Sequence, residues 1–104
     1  MKTIVVEGLP DDPLGAAGVF HQHWLPHAEA SLAEGEDLLL VFAPADHTHR
    51  GWRAAAVQGL ARRYAPARAN ATTGDGATNA RIASYFEGAP GVTGQYLEAA
   101  PANR

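Results

Sequence analysis

Apolar residues fall along this chain in two alternating rhythms, short dense runs and longer spaced stripes. Thr3-Ile4-Val5-Val6-Glu7 is short and β-branched, and the turn-rich Gly8-Leu9-Pro10-Asp11-Asp12-Pro13 follows, which predicts a strand and then a loop. Asp12 is placed to cap a helix with Pro13 at its first position. Leu14, Ala17, Gly18, His21, Leu25, Ala28 and Leu32 then recur at helical spacing until Gly35, with a kink expected at Pro26. Leu38-Leu39-Leu40-Val41-Phe42 is apolar on both faces, the pattern of a central strand covered above and below. A second helix is predicted from about His49 to Arg63, on the stripe Ala54, Val57, Leu60, Ala61, Tyr64, with Pro66 stopping it. Arg68 to Thr72 reads as a third strand, Thr73 to Gly76 as a turn with an N-cap in it, and Ile82, Ala83, Tyr85 and Phe86 mark a third helix ending at Gly88. Gln95 to Glu98 completes the order βαβαβαβ, which implies an α/β domain with a parallel sheet and right-handed crossovers. One domain over residues 1–100 and a tail at 101–104 account for the whole chain.

Composition supports folding: 46% of residues are hydrophobic and 18% charged, too apolar for a disordered chain. There is no cysteine, which removes disulfides, thiolate metal sites and cysteine nucleophiles. No membrane span or secretion signal is visible, so a cytoplasmic location is expected. The net charge of −3 is unevenly spread. Residues 1–46 hold eight acids against Lys2 alone, and residues 47–104 hold seven arginines against three acids. Arg50, Arg53, Arg62, Arg63 and Arg68 form the densest basic stretch. In an acidic chain this reads as a solvated or acid-paired helix face, not as a nucleic-acid surface.

Tyr64-Ala65-Pro66, Arg68-Ala69-Asn70-Ala71 and Gly91-Val92-Thr93-Gly94-Gln95 stand in the order and spacing that resembles the C-terminal half of the short-chain dehydrogenase/reductase family. Leu25-Pro26 ahead of Leu38 to Phe42 is similar to a further stretch of that family. The resemblance implies a three-layer, Rossmann-like partial domain of about four parallel strands with helices on both faces. It matches the family's fourth to seventh strands, without the Gly-rich loop whose backbone N–H groups hold a dinucleotide. It also implies that the family's Tyr-x-x-x-Lys falls on Asp46 and Arg50, its serine near Ala43-Pro44, and its Asn-Ala-Gly on Glu7-Gly8-Leu9. Hydride transfer needs a bound nicotinamide and a proton donor. Neither a catalytic residue nor a cofactor is therefore expected.

Several clusters still hold candidate chemistry. Asp46, His47 and His49, with Arg50, follow the carboxyl end of a central strand, where open α/β sheets bind ligands, and are candidate metal donors. The alternative is that Asp46 caps the second helix and the histidines are exposed. Thr72, Thr73, Gly74 and Gly76 form a strand-to-helix turn with two glycines of a G-x-G-x-x-G pattern, a candidate anion or cofactor loop, although Asp75 repels phosphate and Asn79 stands at the third glycine. His23 and His27 lie one helical turn apart, either as a metal pair or as half-buried packing residues. Trp24 and Trp52 with the small residues Ala55, Ala56 and Gly59 suggest close approach of another helix, and the family resemblance implies a homodimer through the two long helices. The bared edge of Thr3 to Glu7 is a second candidate surface, for a protein partner.

These readings point first to a non-catalytic dehydrogenase-like remnant that acts as a homodimeric or partner-binding module. The alternative is small-ligand (nucleotide or anion) binding, or an unrecognised enzyme, at Asp46, His47, His49 and Arg50.

Overall fold

Leu38 to Phe42 are buried at every position, and the computed structural model of this chain sets one parallel sheet around them. The structure describes residues 1–74 and 76–98, and only the backbone of 76–79. Asp75, the side chain of Asn79 and the expected tail at 101–104 lie outside the described residues. The elements run β1 (Lys2–Val6), α1 (Pro13–Val19), a π-helical turn (Phe20–Trp24), α2 (Leu25–Ala33), β2 (Leu38–Phe42), a 3-10 turn (His47–His49), α3 (Arg50–Arg63), β3 (Ala69–Thr73), α4 (Gly76–Glu87) and β4 (Tyr96–Glu98). The sheet order is β1-β2-β3-β4, with Lys2 opposite Leu38, Leu38 opposite Ala69 and Ala71 opposite Tyr96, all parallel. This is the expected α/β, Rossmann-like arrangement.

Because side chains alternate along a strand, β2 serves two cores at once. Leu38, Leu40 and Phe42 pack with Val6, Phe20, Ala28, Leu32, Val57 and Leu60 beneath α1, α2 and α3. Leu39 and Val41 pack with Phe86, Ile82 and Ala83 beneath α4. The strands follow chain order across the sheet, yet α4 lies on the face opposite α1 to α3. The crossover from β3 to β4 therefore turns in the opposite sense to the two before it, where a uniform right hand was expected. What holds this less common connection is the polar side of β3. Asn70 is buried, donates from Nδ2 to Val92 O at 3.0 Å and accepts from Gln95 N at 3.1 Å. Thr93 Oγ1 accepts from Ala69 N at 3.0 Å.

The first helix departs from its expected phase. Asp12 caps it as predicted, accepting from Gly15 N at 2.7 Å. A Cβ at Gly15 would stand 2.7 Å from the Asp12 carboxylate, which would have to shift within its cap to admit one. Pro26 offers no N–H and crowds the carbonyl four residues back, and the chain absorbs this by the π-helical turn Phe20–Trp24 immediately before it. That turn carries one extra residue, so the stripe continuous with Ala28 and Leu32 does not extend upstream at α-helical spacing. Ala16 and Phe20 face the core in place of Leu14, Ala17 and His21, and Leu14 is 86% exposed.

Arg68 ties the starts of two strands to the far layer. Its backbone N–H donates to Asp37 Oδ1 at 2.8 Å and its Nε to Asp37 Oδ2 at 2.9 Å. Its Nη1 donates to Phe86 O at 3.0 Å in the last turn of α4 and to Ala89 O at 2.8 Å just beyond it. Burial alone would raise the Asp37 carboxyl, but the Arg68 backbone N–H and guanidinium outweigh it and hold the group below its usual value. Replacement Arg68→Ala removes the counter-ion of Asp37 and orphans several carbonyls. Urea denaturation is expected to show a loss of about 2–3 kcal/mol. The Asp37 contribution is complete above the ordinary carboxyl value of 3.8 and is lost as pH falls through the lowered native value. Asp37→Asn, followed by thermal melts across that acidic window, is expected to flatten the corresponding part of the pH dependence.

Candidate functional site

The carboxyl ends of β1 and β2 carry two loops that part to leave a concavity of about 290 Å³. The first loop contributes Glu7, Gly8, Leu9, Pro10 and Asp11, and the second contributes Ala43, Pro44, Ala45 and Asp46. Gly8 has φ +74, a left-handed conformation that favours glycine and turns the first loop off the strand. His49 and Arg53 close the concavity from the start of α3.

The strand-end cluster expected to gather donors is divided. Asp46 accepts from Thr48 N at 2.9 Å and from the Thr48 hydroxyl, capping the 3-10 turn that leads into α3. Those two bonds hold its carboxyl below the usual range. His47 is exposed, whereas His49 is buried. Trp52 Nε1 donates to His49 Nδ1 at 3.1 Å. An indole N–H only donates, so Nδ1 accepts, the ring proton sits on Nε2, and Nε2 donates to Asp11 O at 2.8 Å. Both ring nitrogens are thus spent, Nε2 on tying the start of α3 to the β1 loop and Nδ1 on a bond within the first turn of α3. Arg50 turns to the opposite side and pairs with Glu98 at 2.7 Å. Among the described residues no group of three or more His, Asp or Glu stands where it would hold a metal.

The other candidates are also accounted for. Thr72 is buried and its Oγ1 donates to Leu97 O at 2.8 Å, while the Thr73 hydroxyl is buried without a partner. Gly74 has φ +149 and Gly76 opens α4. His21, His23 and His27 are exposed rather than half-buried, and His23 and His27 border a shallow groove with Trp24. Both tryptophans turn toward the chain's own core. Trp52 lies 5.5 Å from the Phe20 ring and 5.5 Å from Phe42, and Trp24 is half-buried against the same core while bordering the groove with His23 and His27. Ala55 and Gly59 remain exposed, bordering with Ala56, Leu25 and Glu29 a groove between α2 and α3. Tyr64 Oη donates to Glu29 at 2.8 Å across the end of that groove, a bond that pushes its phenol up.

Arg53 was read from sequence as part of a solvated or acid-paired basic face and is neither. It is 4% exposed and stands on the buried stripe with Val57, Leu60 and Ala61. The signal was present: Arg53 precedes Val57 by one helical turn and Leu60 by two, so an arginine occupies an apolar phase. Its Nη1 donates to Ala43 O at 3.0 Å and Tyr96 Oη at 3.1 Å.

The fold and the strand-end geometry agree with the match to the description "short chain dehydrogenase-like protein", which spans residues 4–99. The chain belongs to the short chain dehydrogenase-like family. Nothing among curated proteins or solved structures matches it. The residues at the family's catalytic places do not fit nicotinamide chemistry. A carboxylate engaged by Thr48 stands where the resemblance puts the phenol, and an arginine paired with Glu98 stands where it puts the lysine. No helix among the described residues is long and apolar enough to cross a membrane.

His49→Ala removes the bond that joins the start of α3 to the β1 loop and orphans the Trp52 indole N–H. Denaturant titration is expected to show a loss of about 2 kcal/mol. His47→Ala, at an exposed position, is expected to stay within about 0.5 kcal/mol of the parent chain.

Proposed function

We propose that this chain is a dehydrogenase-like domain without oxidoreductase chemistry, working as a homodimeric binding module. The observation that carries the first half is the engagement of Asp46 and Arg50. Each stands where the resemblance puts a proton-relay residue, and each is engaged in a structural contact, Asp46 with Thr48 and Arg50 with Glu98. The second half draws support from the groove between α2 and α3. A Cβ built on Gly59 meets nothing within 4 Å, so the glycine is not there to accommodate this chain's own packing, and with Ala55 it leaves a low surface that a helix can approach. Trp52 and Trp24 do not act as anchors in this arrangement, because their rings are used within the chain.

Purified protein mixed with reduced or oxidised nicotinamide cofactors and a panel of carbonyls and alcohols is expected to give no absorbance change above a protein-free control. A rate that is lost in Asp46→Asn overturns the non-catalytic reading. Sedimentation at micromolar concentration is expected to give a dimer, and Gly59→Arg, which places a long cation on the low surface, is expected to give a folded monomer whose thermal midpoint no longer depends on protein concentration. A monomeric parent chain overturns the homodimer.

A further inference from the structure

Arg53 is the buried cation of this domain that lacks an acid. Arg50, Arg63 and Arg68 pair with Glu98, Glu29 and Asp37, but no carboxylate among the described residues bridges Arg53. Its Nε is buried with no hydrogen-bond partner, and its Nη1 is held by two neutral oxygens. The guanidinium carbon lies 4.6 Å from the centre of the Phe42 ring and 5.7 Å from that of Trp52. Ring faces offset part of the cost of burying the charge but supply no counter-charge, and buried arginines are as a rule paired. A second orphan stands at the same end of the sheet. Thr73 pairs in register with Phe42, on the same face as α3, and its hydroxyl has no partner.

Arg53 lines the concavity between the β1 and β2 loops, so a bound anion would reach it there. The remaining charges of that concavity restrict the anion. Glu7, Asp11 and Asp46 line it too and are exposed, and the Asp46 carboxylate is engaged by Thr48. A ligand with two negative charges would face these acids, whereas a ligand with one carboxylate and one ammonium satisfies both the buried guanidinium and the acidic rim. The volume, about 290 Å³, leaves room for a small molecule of the size of a single amino acid.

We propose that this concavity binds a small α-amino acid or an equivalent zwitterion, its carboxylate on Arg53 and its ammonium toward Glu7 and Asp11. The proposal is independent of the dimer, and its ligand contacts, Arg53, Glu7 and Asp11, are not the residues on which the non-oxidoreductase reading rests.

Amide chemical shifts of the full chain, recorded during titration with L-alanine, L-glutamine, acetate and inorganic phosphate at constant ionic strength, test it. The amino acids are expected to move the Gly8, Leu9 and Ala45 amides with a Kd in the range of about 1 mM, acetate about tenfold weaker, and phosphate weaker still. Arg53→Met is expected to weaken alanine binding at least tenfold. Should that variant fail to fold, Glu7→Gln with Asp11→Asn, at exposed positions, reads the same site: alanine falls to the level of acetate, and acetate is unchanged or tighter. The proposal is overturned if no probe moves these amides, if phosphate binds as well as the amino acids, or if alanine binding survives either variant.

Discussion

The rest of the structure depends on the clamp between Arg68 and Asp37. Both residues sit one position before a strand, and their pairing fixes the relative height at which β2 and β3 begin, from which every later register position follows. The same guanidinium then reaches through to carbonyls at and just beyond the last turn of α4, so one side chain sets strand register and attaches the second helical layer. Only arginine has enough donors in a fixed fork to do both. Without it, α4 would be held chiefly by Phe86, Ile82 and Ala83 against Leu39 and Val41. The clamp also joins the acidic first half of the chain to its basic second half, as does the pair between Arg63 and Glu29.

How much of this could be read beforehand follows from the kind of signal each element carries. β2 was legible because five apolar residues in succession have few alternatives, and the capping of α1 by Asp12 was legible because capping is local. The phase of α1 was not. A π-helical turn is a tertiary answer to Pro26, and it moves the buried face by one residue without changing composition. β3 was read as a weak strand because Asn70, Thr72 and Thr73 are polar. They are buried because the returning α4–β4 connection accepts and donates to two of them, a partner more than twenty residues away. The hand of the last crossover was hidden for the same reason.

The site divides along the same line. Asp46 as a cap was visible in the spacing from Asp46 to Thr48, and the exposure of His47 agreed with the bland reading of that loop. His49 and Arg53 were misplaced because charge and sequence proximity grouped them with their neighbours, whereas helical phase separates them. Arg50 and Arg53 differ by three residues and by everything else: one is solvated and paired, the other is buried against two aromatic rings, without an acid, at the wall of the concavity. A helix in which a charged residue takes an apolar phase is a departure from the binary pattern, and such departures concentrate where a protein binds or reacts.

Every strand pairing in this sheet joins strands that are consecutive in the chain. Lys2 meets Leu38, Leu38 meets Ala69 and Ala71 meets Tyr96, so spatial neighbours are also sequence neighbours. In this respect the domain is organised like a short stack of repeats, whose units are stabilised by adjacent units alone. Damage at one end need not propagate to the other. A sheet built in this way tolerates loss or gain of a unit at either flank better than one whose first strand lies at its centre.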